Sequence, residues 1–241
     1  MRAILWDMDG TLINTEPLWE QATYELSERL GRRLTPERRE ATIGCALRDT
    51  MAILAAWTGR ELTEELIRDG NTFFHARMTD LLSGGISFRP GIKTLLNDGL
   101  AAGIPMVVVT NTQRVLADIC IAAMGPEFFV ASVAGNEVEH PKPGADPYIK
   151  GAFLAGVPPE QALVIEDSKT GATAGLAAGC RTLYLPMDDA NVPPATSSSK
   201  PAGSIIMDEA FPGQQRTNLG STSLSDLQQV FDFGGQVPTI G

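Results

Sequence analysis

The segment Asp7-Met8-Asp9-Gly10-Thr11 sets two carboxylates two positions apart, directly after the apolar run Ala3-Ile4-Leu5-Trp6. Such a run reads as a buried parallel strand. In open α/β sheets, ligands collect just beyond the carboxyl ends of the strands. Acids there are costly to bury unless they bind a cation or do chemistry. Taken alone, the pair would serve equally well to cap the turn before Gly10. The rest of the chain separates the two readings.

Three more polar groups follow, at or just beyond the ends of expected strands. Thr110-Asn111-Thr112 succeeds Met106-Val107-Val108-Val109, Lys142 sits in the stiff loop Pro141-Lys142-Pro143, and Glu166-Asp167-Ser168 closes the run 162–165. If these strands are parallel neighbours, four acids, a hydroxyl with an amide, and one lysine meet on one sheet edge. Clustered carboxylates repel one another, and a hard divalent cation relieves the conflict. Mg²⁺ takes oxygen ligands and keeps waters and substrate phosphate in its shell. The cluster holds no histidine or cysteine, which disfavours zinc, copper or iron. The Thr110 hydroxyl, Asn111 and nearby backbone N–H groups suit phosphate oxygens. Lys142 suits both their charge and that of a carboxylate nucleophile.

The elements that must position these groups alternate from residue 86 onward. Helices are expected over 90–100, 115–124 and 168–178, with another beginning at Asp146-Pro147 as N-cap and first-turn proline. Strands are expected over 105–110, 128–134, 162–165 and 181–185. This alternation predicts an α/β fold, a doubly wound, mostly parallel, Rossmann-like sheet covered on both faces. Residues 16–85 differ. Leu18, Trp19, Ala22, Leu26 and Leu30, then Leu47, Met51 and Leu54, then Leu66, Phe73, Phe74, Met78 and Leu81 recur at helical spacing. About four helices inserted there form a cap domain, with the catalytic core in 1–15 and 86–241. Beyond it, 193–203 reads as a flexible loop, 204–207 as an edge strand and 224–233 as a closing helix.

In order and at strand ends, the matching residues are Asp7-Met8-Asp9-Gly10-Thr11-Leu12-Ile13, Thr110-Asn111, Lys142-Pro143 with Asp146, and Glu166-Asp167-Ser168 followed by Gly171. This arrangement resembles the haloacid dehalogenase-like hydrolases, in the branch of phosphatases and phosphomutases with a small helical cap. The resemblance implies that Asp7 is the nucleophile forming an aspartyl-phosphate and Asp9 the acid/base. It implies that Asp7, the Asp9 carbonyl and Asp167 hold Mg²⁺, with Glu166 ligating directly or through water. Thr110, Asn111 and Lys142 would bind the transferring phosphoryl group. The implied activity is hydrolysis of a small phosphorylated metabolite, a sugar or polyol phosphate. The alternative is a β-phosphoglucomutase-type phosphomutase, but such mutases carry a histidine where this chain has Trp19. A phosphonate-cleaving relative would need a cap lysine, and residues 16–85 contain none. A phosphorylation switch without turnover is the more remote reading.

Specificity is expected in the cap loop 44–48, with Arg48 or Arg77 touching a polar or anionic substrate tail. His75, His140 and the three cysteines read as packing or surface residues, as does Trp19. The net charge of −10 argues against non-specific nucleic-acid binding. No apolar stretch approaches the ~20 residues of a membrane span, no signal peptide is evident, and the cysteines suggest reduced thiols. The expectation is a cytoplasmic, monomeric enzyme.

Overall fold

A computed structural model describes residues 1–185, 201–210 and 219–233 of the chain. Its strands are β1 (Ala3–Trp6), β2 (Met106–Val109), β3 (Ala131–Val133), β4 (Ala162–Glu166) and β5 (Arg181–Tyr184). They form one parallel sheet in the order β3-β2-β1-β4-β5. The chain runs outward from β1 to β3 on one side and returns to β4 on the other. The topological switch point, where open α/β sheets bind ligands, therefore lies between β1 and β4. There Trp6 pairs with Ile165, and the Asp7 N–H donates to the Ile165 carbonyl at 3.0 Å.

The apolar runs are continuous because both sheet faces are covered. Ile4, Trp6, Val108, Leu163 and Ile165 face one core, and Leu5, Val107, Val109 and Val164 face the other. Helices α5 (Ile92–Ala101) and α6 (Arg114–Met124) cover the first face, where α10 (Leu224–Phe233) joins them. Helices α7 (Asp146–Leu154) and α8 (Lys169–Ala177) cover the second.

Between β1 and α5 stand the cap helices α1 (Glu16–Arg29), α2 (Pro36–Glu40), α3 (Leu47–Thr58) and α4 (Glu64–Leu82). Helix α4 packs on α1 and α3 within the cap and on α6 of the core. The buried stripe residues Ala22, Leu26, Met51, Leu54, Phe74 and Met78 form one apolar cluster with the first face of the sheet. The chain enters and leaves the cap side by side. The Asn14 N–H donates to the Ser87 carbonyl and the Arg89 N–H to the Leu12 carbonyl, each at 3.0 Å. No helix of the described residues is long and apolar enough to cross a membrane.

Three local expectations are corrected. The strand expected over 128–134 begins only at Ala131, because Pro126–Phe128 forms a 3₁₀ turn. Asp146 is the first residue of α7, not its N-cap, and its carboxylate turns back to accept from the His140 N–H at 3.0 Å. In the expected edge strand 204–207, only Ile205 pairs with β5, and Met207–Ala210 turns into the short helix α9. Of the expected loop 193–203, residues 193–200 lie outside the described residues.

Candidate active site

The ends of β1, β2 and β4 and the loop before α7 do converge. Lys142 Nζ lies 2.7 Å from Asp7 Oδ1, 2.7 Å from Glu166 Oε1 and 2.7 Å from the Val109 carbonyl. The lysine is 3% exposed and Glu166 0%, so these charges must be balanced by one another. Asp7, Glu166 and Asp167 each bring an oxygen to within 4.8 Å of the others. Three carboxylates against one ammonium leave two negative charges, the complement of a divalent cation. Burial pushes Asp7 up to about 7, reinforced by Glu166 and opposed by Lys142. Burial, then Asp7 and Glu166, drive Asp167 well above the usual carboxylate range. Burial works against the Lys142 ammonium, but Asp7 and Glu166 outweigh it and raise it to about 12. Acids so strained toward protonation, with oxygen donors alone, fit a hard cation such as Mg²⁺.

The four polar positions around Glu166 are filled by the protein. Oε1 accepts from Lys142 and from the Tyr148 hydroxyl at 2.7 Å, and Oε2 from the Ser168 hydroxyl at 3.0 Å and backbone N–H at 3.3 Å. Ser168 also caps α8 by accepting from the Gly171 N–H at 2.9 Å. Two glycines are required here. Gly10 has φ +90° and a Cβ on it would overlap Asp167 Oδ2, while a Cβ on Gly171 would overlap Glu166 Oε1. Thr11 donates to Asp167 Oδ1 at 3.2 Å.

Asp9 is held by four donors. Thr15 Oγ1 at 2.6 Å and Trp19 Nε1 at 2.7 Å donate to Oδ1; Thr112 Oγ1 at 2.7 Å and Thr110 Oγ1 at 3.4 Å donate to Oδ2. Trp19 is thus more than packing, although its ring does lie 5.3 Å from that of Phe74 on α4. Asn111 laces two loops together. Its Nδ2 donates to the Lys142 carbonyl at 3.0 Å and to the Gly44 carbonyl of the cap at 3.1 Å, and its Oδ1 accepts from the Lys142 N–H at 2.9 Å.

A cavity between the sheet edge and the cap is lined at one end by Asp7, Asp9, Thr110, Asn111, Lys142 and Asp167. The cap contributes Glu16, Arg39, Thr42 and Leu47, among others, to the same lining. Arg48 and Arg77 are not brought to it. Arg48 is exposed and pairs with Glu64 at 2.7 Å, and Arg77 pairs with Glu25 at 2.7 Å and with Asp80. Thr15, Tyr148, Glu16 and Arg39 carried no sequence signal of their own, and Thr112, though part of the strand-end group, carried none for its bond to Asp9. Arg39 lies in the charged stretch Glu37-Arg38-Arg39-Glu40, where nothing distinguishes the arginine that turns inward.

The haloacid dehalogenase-like hydrolase family matches the chain over residues 4–185. Hexitol phosphatase A of Escherichia coli (strain K12) is 32% identical over 189 residues, which is 76% of this chain and 82% of that protein. A phosphorylated carbohydrates phosphatase of Thermotoga maritima is 28% identical over 185 residues, covering 76% of this chain and 84% of its own. Among solved structures, CbbY from Rhodobacter sphaeroides in complex with xylulose-(1,5)bisphosphate is similar with a TM-score of 0.74. It is 27% identical and covers 94% of this chain and 99% of its own.

Proposed function

The chain belongs to the haloacid dehalogenase-like hydrolases, and we propose that it is a Mg²⁺-dependent phosphatase that hydrolyses a small phosphorylated metabolite, a sugar or polyol phosphate. The carrying observation is the buried group Asp7–Lys142–Glu166 with Asp167 at the switch point of the sheet. Residues 16–85 act as the cap and 1–15 with 86–241 as the catalytic core.

Asp7 is the nucleophile. One carboxylate oxygen rests on Lys142, and the other attacks phosphorus as the ester P–O bond breaks, giving an aspartyl-phosphate. Asp9 donates a proton to the leaving oxygen. It then takes one from the water that attacks the aspartyl-phosphate, which releases inorganic phosphate and restores the Asp7 carboxylate. Asp7, Asp167 and the Asp9 carbonyl would hold Mg²⁺. When bound, the cation neutralises charge on the phosphoryl oxygens and on the acid cluster. Because its oxygens already accept four protein donors, Glu166 orients Lys142 and Ser168. Lys142 and Thr110 line the phosphoryl end of the cavity, where the ammonium offsets negative charge while its three N–H groups stay on Asp7, Glu166 and Val109. Asn111 acts on it through the lysine loop that it fixes.

The test is phosphate release from a panel of phosphomonoesters with Mg²⁺, including β-glucose 1-phosphate with product identification. Free phosphate, lost on chelation of the metal and in Asp7→Asn, is the expected outcome. Glucose 6-phosphate formed without net phosphate would instead identify a mutase.

A further inference from the structure

Glu16 opens α1 and Arg39 lies in α2, and the two meet in the cap wall of the cavity. Arg39 Nη2 donates to Glu16 Oε1, and Nη1 donates to Thr42 Oγ1 at 2.9 Å. Arg39 is 6% exposed, and its Nε–H has no hydrogen-bond partner among the described residues. A buried ion pair adds little to stability compared with apolar residues of the same volume. One set in the wall of a substrate cavity, with its carboxylate partly exposed, is better explained by what it binds. A carboxylate beside a guanidinium offers acceptor and donor together, which is what an alcohol needs to satisfy both its O–H and its lone pairs.

Charge narrows the occupant further. Among the described residues that line the cavity, the permanent cations are Lys142 and Arg39. Lys142 is engaged by Asp7 and Glu166, and Arg39 is neutralised by Glu16. His75 also lines the cavity, and burial lowers its pKa, which keeps it uncharged near neutrality. Leu47, the cap-loop residue beside Arg48, adds an apolar surface, and Arg48 itself points to Glu64. A second phosphate or a carboxylate against the cap wall would find Arg39 already paired with Glu16 and no free cation.

We infer that Glu16 and Arg39 are specificity-determining residues that select an uncharged, hydroxyl-bearing leaving group and disfavour one ending in a second anion. This rests on the phosphatase reading above. It predicts a preference for hexitol monophosphates over sugar bisphosphates and phosphoglycolate.

The test measures kcat/KM of the full chain with Mg²⁺ for a hexitol 6-phosphate, xylulose 1,5-bisphosphate, phosphoglycolate and p-nitrophenyl phosphate, in wild type, Glu16→Gln and Arg39→Lys. Wild type should favour the hexitol ester over the bisphosphate by at least about tenfold. Glu16→Gln leaves the Arg39 charge uncompensated, so the bisphosphate should gain about tenfold relative to the hexitol ester. Misfolding cannot mimic that gain. Arg39→Lys should lower the hexitol ester relative to p-nitrophenyl phosphate, because the planar fork is lost. A wild-type preference for the bisphosphate or phosphoglycolate overturns the inference, as does a substrate ratio unmoved in both variants, while the phosphatase reading stands. No turnover of any ester overturns both.

Discussion

At the level of single residues, the site depends on which groups Lys142 and Asp9 are bonded to. Lys142 is the ammonium between Asp7 and Glu166, both buried. Lys142→Met leaves two buried carboxylates unpaired and should destabilise the metal-free protein by about 3–5 kcal/mol in urea unfolding. A loss under about 1 kcal/mol would show that solvent reaches the cluster. Trp19 has a different role. Its indole N–H and the Thr15 hydroxyl fix one oxygen of Asp9. Trp19→Phe keeps the ring against Phe74 and removes the donor, so kcat for an alkyl phosphate should fall about tenfold. The loss should be smaller for p-nitrophenyl phosphate, whose leaving group needs little proton donation. Equal losses on both esters would make Trp19 purely structural. The acids and Lys142 were legible in the sequence because strand ends are identifiable places and charged residues there are conspicuous. The partner of Thr112 and the part played by Tyr148 were not. Thr112 reaches Asp9 across 103 positions, and a threonine or tyrosine in such a place has no periodicity to betray it.

At the level of elements, the start of α8 joins local structure to the site. Ser168 caps the helix and also binds Glu166, so one side chain serves both. Ser168→Ala should cost about 1 kcal/mol, seen as a lower urea midpoint with unchanged m. An unshifted midpoint would mean that water replaces the cap. The parallel strands were readable because both sheet faces are covered, which turns each strand into an unbroken apolar run. The cap helices were readable from their stripes. Element ends were less so, since the 3₁₀ turn Pro126–Phe128 runs into the start of what reads as strand. Loop-to-loop contacts such as that of Asn111 with Gly44, which ties the cap to the core, follow from tertiary placement and leave no pattern in the chain.

At the level of the whole molecule, cap and sheet share one apolar cluster, with the acid cluster at its edge and the cavity between them. Folding, metal binding and catalysis are therefore linked. Burial raises Asp7 from its ordinary value of 3.8 to about 7. Its contribution to metal-free stability is thus full below about pH 4 and is lost as pH rises through about 7. Mg²⁺ requires the ionised acids and removes that loss. It should raise Tm more at about pH 8 than at about pH 5; an equal or reversed effect would place the cation elsewhere. The central claim is that Asp7 attacks phosphorus. It is tested most directly by mixing Asp9→Asn protein with a phosphate ester and Mg²⁺, quenching in acid, and mapping the chain by mass spectrometry. The expected result is a phosphoryl increment on the peptide that carries Asp7, absent when Asp7→Asn is added. Turnover by Asp7→Asn, or a phosphoryl group trapped on any other residue, would contradict it.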